Sequence, residues 1–240
     1  MILNQKKTKV MIFNFTDKYK FTTKLELNGE ILDVVKEAKL LGVIITDDLK
    51  WDRNTDYIVK KAYKRMELLR KVANFSNSIE DKTEIYVLYV RSVLEQSSVV
   101  WHSSLTKENC EDLERVQRCA LRIILGKDYE KYKNYEDALS RANIEKLELR
   151  REYLCKNFAE KCLKNDKVKD IFKTRIKSHN MKTREEELFE VKFAHTGRLK
   201  KSTIPYIQRM LNVEDIEKTK KRKNKELNDK QNVKKKRRPG

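Results

Sequence analysis

Apolar residues alternate with polar ones over about the first 46 positions of the chain, and from Trp51 onward they recur at helical spacing. Positions 9–15, with Val10, Ile12 and Phe13, are predicted as a strand. Thr23, Leu25 and Leu27 alternate with charged residues up to Asn28-Gly29, and 31–35 resumes the pattern. Asn-Gly accepts the positive φ angles of a two-residue turn, so a β-hairpin is predicted there. Positions 40–46, rich in β-branched residues, are the fourth predicted strand. Four such short strands form a small antiparallel sheet that cannot bury itself alone.

After Trp51 the period of about 3.6 predicts helices. Ile58, Ala62, Met66 and Leu69 line one stripe of a helix over 53–72, with Asn54 or Thr55 as its cap. A second helix is predicted over 80–101, burying Ile85, Leu88, Tyr89, Val93 and 96–100. The third begins after Thr106 and carries Cys110, Leu113, Val116, Gln117, Ala120 and Ile124 as its stripe, ending at Gly126. Acidic residues sit early in it and Arg115, Arg118 and Arg122 late, which complements the helix dipole, and Glu111–Arg115 and Glu114–Arg118 are i,i+4 pairs. A helical pair follows over 135–163, broken near Asn143. Beyond Asn165 the pattern weakens: Val191, Phe193 and Leu199 suggest an extended piece, and Pro205 opens a short helix with Tyr206 and Leu211.

Composition supports this picture. Only 5 Gly and 2 Pro leave few chain breakers, and 39% hydrophobic with 39% charged residues implies a modest core under wide solvated helix faces. The expected class is α+β, mostly α.

Of the formal charge of +19, about half lies in residues 218–240, where Glu226 and Asp229 are the only acids. The rest remains basic enough to attract a polyanion, although a surface with surplus lysines reads the same way. Cys110, Cys119, Cys155 and Cys162 have no Cys-x-x-Cys spacing, and His102, His179 and His195 form no paired ligand set, so no zinc site is expected. No apolar run is long enough to span a membrane and no signal peptide follows Met1; a soluble intracellular protein, nuclear or cytoplasmic, is expected.

The segment Lys39-Leu40-Leu41-Gly42-Val43-Ile44-Ile45-Thr46-Asp47-Asp48-Leu49-Lys50-Trp51 resembles the last palm motif of reverse transcriptases of non-LTR retrotransposons of the jockey type, a hairpin that grips the primer end. Asn4-Gln5-Lys6-Lys7-Thr8-Lys9-Val10-Met11-Ile12-Phe13 resembles the motif before it. The likeness continues through Leu88 to Glu95, Val99-Val100-Trp101, Leu113 to Gln117, Ala120 to Gly126, Arg150-Arg151-Glu152 and Ile204 to Asn212.

That resemblance implies five parts: a palm-remnant sheet (1–52), a helical thumb (53–130), a C-terminal helical region (131–178), an extended segment with a short helix (179–217) and a disordered basic tail (218–240). It implies nucleic-acid contacts by Leu41, Gly42 and Val43. The thumb helix adds Lys60, Lys61, Lys64, Arg65 and Lys71, with Lys60, Lys64 and Lys71 on one face, suited to successive phosphates of a template–primer duplex of RNA and DNA. Its bland alternative is a solvated lysine-rich face. Lys7 matches a family general acid that would protonate pyrophosphate, a role that requires a metal-bound triphosphate within reach.

Intact relatives are RNA-directed DNA polymerases that use Mg²⁺ held by carboxylates from two neighbouring strands. Here the first catalytic aspartate and the aromatic-Ala-Asp-Asp turn are missing. Asp47-Asp48 lies on the far side of the hairpin and reads as a turn. The expectation is therefore a fragment with no catalytic residues, no cofactor of its own and residual nucleic-acid binding.

Lys220-Lys221-Arg222-Lys223 and Lys234-Lys235-Lys236-Arg237-Arg238 resemble a bipartite nuclear import signal, which adds an import receptor as a partner. Rival expectations are a non-enzymatic basic nuclear nucleic-acid-binding protein and a helical protein-interaction module. No membrane partner is expected, and the sequence does not specify an oligomeric state.

Overall fold

The computed structural model describes residues 4, 7–15, 24–76, 78–172, 189–191 and 193–213, which are mostly helical with two antiparallel two-stranded sheets. Asn28 and Gly29, at φ 51° and 83°, turn the chain between β1 (Glu26–Leu27) and β2 (Glu30–Ile31). Two consecutive positive φ angles make the primed turn that matches strand twist, as the Asn-Gly pair predicts.

The second sheet corrects the expected strand over 40–46. Leu41 and Gly42, at φ 49° and 87°, form another turn, and β3 (Glu37–Leu40) pairs with β4 (Val43–Thr46) in the register Leu40 with Val43 and Glu37 with Thr46. Leucine is disfavoured at positive φ, so this turn is hidden in the sequence. The strand expected at 9–15 is reduced to a parallel bridge between Val10 and Val34. Among the described residues one four-stranded sheet therefore does not form: Leu25, Ile31 and Val34 stay exposed, while Val43 is buried in the helical core.

α1 (Asp52–Phe75) buries Ile58, Ala62, Met66 and Leu69, the predicted stripe, and packs along the helix Lys107–Leu125. Its cap differs from expectation. The helix starts early enough that Asn54 and Thr55 fall inside its first turn, both buried, and Asn54 Oδ1 accepts from the Ile44 N–H at 3.0 Å. Asn54 thus ties α1 to β4 instead of capping its own helix.

The single helix expected over 80–101 is broken. α2 (Ile79–Ile85), capped by Ser78, runs into a π-helical stretch, Tyr86–Arg91; α3 (Ser92–Glu95) follows, then a break at Gln96-Ser97 and α4 (Ser98–Trp101). Tyr86, Val90, Val93, Leu94 and Trp101 are buried, whereas the expected core residues Leu88, Tyr89 and Val100 are exposed. A π turn closes i to i+5, so it advances the chain less around the axis per residue and hands the core to a different stripe. Ser97 at φ 53° ends the run.

α5 (Lys107–Leu125) follows its prediction at both ends: Thr106 Oγ1 accepts from Asn109 N–H, and Gly126 stops the helix at φ 57°. Its ion pairs do not. Arg115 bonds Asp112, Arg118 bonds Glu111, and Glu114 instead accepts from the Tyr135 hydroxyl and the Glu148 N–H. A half-buried carboxylate gains more from tertiary donors than from a solvated pair one turn away.

α6 (Tyr135–Arg141) and α7 (Leu147–Leu163) flank a break at Asn143, φ 51°. The chain divides into two compact units, Met1–Arg151 and Glu152–Gly240. The core above belongs to the first. In the second, Cys155, Ala159, Phe172, Phe189, Ile207 and Leu211 are buried. Leu199, expected in an extended piece, lies in α8 (Gly197–Lys201), and 203–213 is helical with Pro205 in its first turn, where a missing N–H costs no internal bond. No helix among the described residues is long and apolar enough to cross a membrane.

Candidate nucleic-acid interface

The exposed side of α1 is opposite its buried stripe, so the same periodicity that places Ile58, Ala62, Met66 and Leu69 inside places Lys60, Lys64 and Lys71 outside. At 1.5 Å per residue, Lys60 and Lys71 are about 16 Å apart along the axis. That is roughly five steps of 3.4 Å along one nucleic-acid strand.

Two other basic residues of α1 are tied to the protein. Arg65 Nη1 donates to the Tyr89 carbonyl at 2.9 Å, within the π-helical stretch, and Lys61 Nζ donates to Gln96 Oε1 at 3.4 Å. Their charge reaches the surface, but their first partners are structural.

The three hairpin residues separate. Leu41 is 88% exposed at the tip, Gly42 faces the Gln96 amide and Val43 is in the core. Close approach at Gly42 is therefore made by a side chain of this protein. Of the trio, Leu41 and the turn backbone are left to meet a ligand.

Lys39 and Tyr57, which the sequence did not single out, join the hairpin to α1. Lys39 Nζ donates to the Tyr57 hydroxyl at 2.7 Å and lies 4.4 Å from the ring centroid. This bond holds the Tyr57 pKa below its ordinary value. Tyr57 stands three and four residues before Lys60 and Lys61, a spacing that could have flagged it; nothing in the sequence marks Gln96.

Asp47 and Asp48 sit beside a cleft of about 460 Å³ whose lining also includes Glu37, Lys36, Lys50 and Arg53. Asp48 Oδ1 accepts from Thr46 Oγ1 at 2.7 Å and from Lys50 N–H at 3.0 Å, with Lys50 Nζ 3.5 Å from its other oxygen. The Thr46 bond leads in lowering the Asp48 pKa. A two-metal centre needs carboxylates free to bridge cations. This one is committed to a turn among ammonium groups and does not fit Mg²⁺. Among the described residues no three His, Cys, Asp or Glu side chains form a metal-holding group.

Lys7 is exposed, and its backbone N–H donates to Asn4. Glu95, His102 and Trp101 are structural: Glu95 pairs with Arg91 and Arg150, His102 Nδ1 accepts from Arg151, and Trp101 Nε1 donates to the Gln96 carbonyl. The import-signal residues 220–223 and 234–238 lie outside the described residues.

No family model, no curated protein and no solved structure matches this chain, which leaves its own residues and geometry to carry the function.

Proposed function

We propose that this chain corresponds to the last palm hairpin, thumb and C-terminal region of a jockey-type non-LTR retrotransposon reverse transcriptase, and that it binds an RNA/DNA duplex without extending it. The observation that carries this is the Lys60, Lys64 and Lys71 row on the exposed side of α1, next to a hairpin joined to the same helix by Lys39 and Tyr57. Phosphate contacts of this kind position a duplex without reading its sequence. Leu41 is exposed at the turn of that hairpin.

Catalysis is not part of the proposal for these 240 residues, since in their one Asp-Asp pair the Asp48 carboxylate is bonded into a turn. In an intact relative Mg²⁺ would be held by carboxylates of the upstream palm. The basic tail is proposed to serve nuclear import.

The deciding experiment is a salt titration of duplex binding with the full chain and its Lys60→Glu/Lys64→Glu/Lys71→Glu variant. Three lost phosphate contacts lower the slope of log K against log salt by about 2 to 3. An unchanged slope would assign the binding to the tail and remove α1 from the interface. Primer extension with Mg²⁺ is expected to give no product.

A further inference from the structure

Lys39 and Lys61 reach the same phenol from two elements. Lys39 Nζ, on β3, donates to the Tyr57 hydroxyl at 2.7 Å and lies 4.4 Å from the ring centroid, while Lys61 Nζ, on α1, lies 6.0 Å from it. The Lys39 bond leads in lowering the Tyr57 pKa, both ammonium charges add to it, and no carboxylate opposes them.

The neighbouring acids are paired elsewhere or lie on another side of the helix. Glu37 of β3 pairs with Arg53, Glu67 with Arg70, and Glu95, beside Gln96, with Arg91 and Arg150. Asp56 stands four residues before Lys60 and so shares the Lys60 side of α1.

An ammonium has no lone pair, so the Tyr57 oxygen accepts the Lys39 bond and its own proton is left to donate. Among the described residues no acceptor takes that proton. Gln96 completes the group: its Oε1 accepts from Lys61 Nζ at 3.4 Å and its Nε2 stands against Gly42, which keeps that ammonium beside the hairpin turn. Leu41, in the same turn, is 88% exposed.

Two cations and a hydroxyl donor therefore meet around Tyr57, whereas Lys60, Lys64 and Lys71 are spread along α1 as single charges. A backbone phosphate carries a single charge. A terminal phosphate monoester carries about two near pH 7 and offers three oxygens as strong acceptors.

We infer that Lys39, Tyr57 and Lys61 form a site for a phosphate monoester, and that the chain uses it to hold the phosphorylated end of a nucleic-acid strand at the turn of the β3–β4 hairpin. Tyr57 donates to one phosphate oxygen and the ammonium groups to the others. Leu41 covers the open face of the last base pair, an apolar surface that only an end exposes. This rests on the reading that the hairpin side of α1 meets a duplex, and it adds which part of the duplex lies there.

The test measures full-length protein by fluorescence anisotropy against a labelled blunt duplex with 5′-phosphate ends, the same duplex with 5′-hydroxyl ends, and a nucleoside 5′-monophosphate as competitor. Phosphorylated ends are expected to bind roughly tenfold tighter, the scale of one hydrogen bond to a charged group. Tyr57→Phe, which keeps the ring beside Lys39, and Lys39→Gln each bring the two duplexes toward equal affinity with the thermal midpoint retained. Lys60→Glu/Lys64→Glu/Lys71→Glu weakens both duplexes alike and leaves their ratio unchanged. Equal binding of the two duplexes by the unaltered chain overturns the inference and leaves the α1 row standing, as does a preference that survives both Tyr57→Phe and Lys39→Gln. A monophosphate that competes as well as the phosphorylated duplex also overturns it, because the site would then serve free nucleotides. Binding to neither duplex overturns the α1 reading together with it.

Discussion

Gln96 Nε2 occupies the space beside Gly42 so closely that a β-carbon there would come within 2.5 Å of it. Gly42 is also at φ 87°, a conformation that other residues adopt at a cost. Gly42→Ala therefore suffers two penalties, one steric and one conformational. The amide end of Gln96 can swing aside, whereas the backbone strain stays, so a loss of about 1 to 2 kcal/mol is expected in denaturant unfolding. In a double-mutant cycle the cost of Gly42→Ala should shrink when Gln96→Ala removes the contact. Strict additivity would show that Gln96 does not restrain the turn.

Tyr86 donates to Gln117 Oε1 at 2.6 Å in the core, and Gln117 Nε2 donates to the Tyr135 hydroxyl at 2.9 Å and the Glu145 carbonyl at 3.0 Å. Burial raises the pKa of both phenols, so each stays protonated as a donor. Tyr86→Phe leaves a buried amide oxygen without that donor and should lower stability by about 1 to 3 kcal/mol. Gln117→Leu removes three bonds at once and should cost more. Urea midpoints at neutral pH would decide, and a neutral Tyr86→Phe would mean that the amide finds another donor.

Burial first, then the neighbouring Arg151 charge, hold the His102 pKa down from 6.5 to about 4. The unfolded chain takes up this proton near pH 6.5 and the folded one only near pH 4. Between those values the unfolded state binds more protons, so stability falls as pH falls through the window and the contribution is complete above it. A loss on the order of 2 to 3 kcal/mol is expected between pH 7 and 4. His102→Asn, whose amide oxygen can accept from Arg151, should flatten that part of the profile in urea unfolding at stepped pH. An unaltered profile would place the acid sensitivity on the carboxylates.

Asn212 satisfies both backbone groups of Phe189. Asn212→Ala leaves them buried without these partners and should destabilise the second unit by about 2 kcal/mol or more. Asn212→Asp keeps the acceptor and loses the donor, so an intermediate effect is expected. Faster hydrogen exchange at the Phe189 amide would report it directly, and unchanged protection would refute the clamp.

The legible parts of this fold are those in which local chemistry is sufficient. Asn28-Gly29 makes its turn because both residues tolerate positive φ, α5 begins at Thr106 and ends at Gly126 because those residues satisfy its ends, and the α1 stripe follows from spacing alone. Leu41-Gly42 was hidden because Leu41 does not prefer its conformation. Asn54 has the chemistry of a cap, yet its carbonyl is taken by Ile44 across the chain.

The same division runs through the candidate interface. Periodicity by itself determined that Lys60, Lys64 and Lys71 share the solvent face of α1, since exposure is the complement of an apolar stripe. Only the tertiary structure decided that Gly42 is approached by Gln96, that Arg65 is spent on the Tyr89 carbonyl and that Tyr86 replaces Leu88 in the core. Those outcomes depend on partners 24 to 54 residues apart in the chain or on a π turn that rotates a whole helix face, and neither leaves a local mark in the sequence.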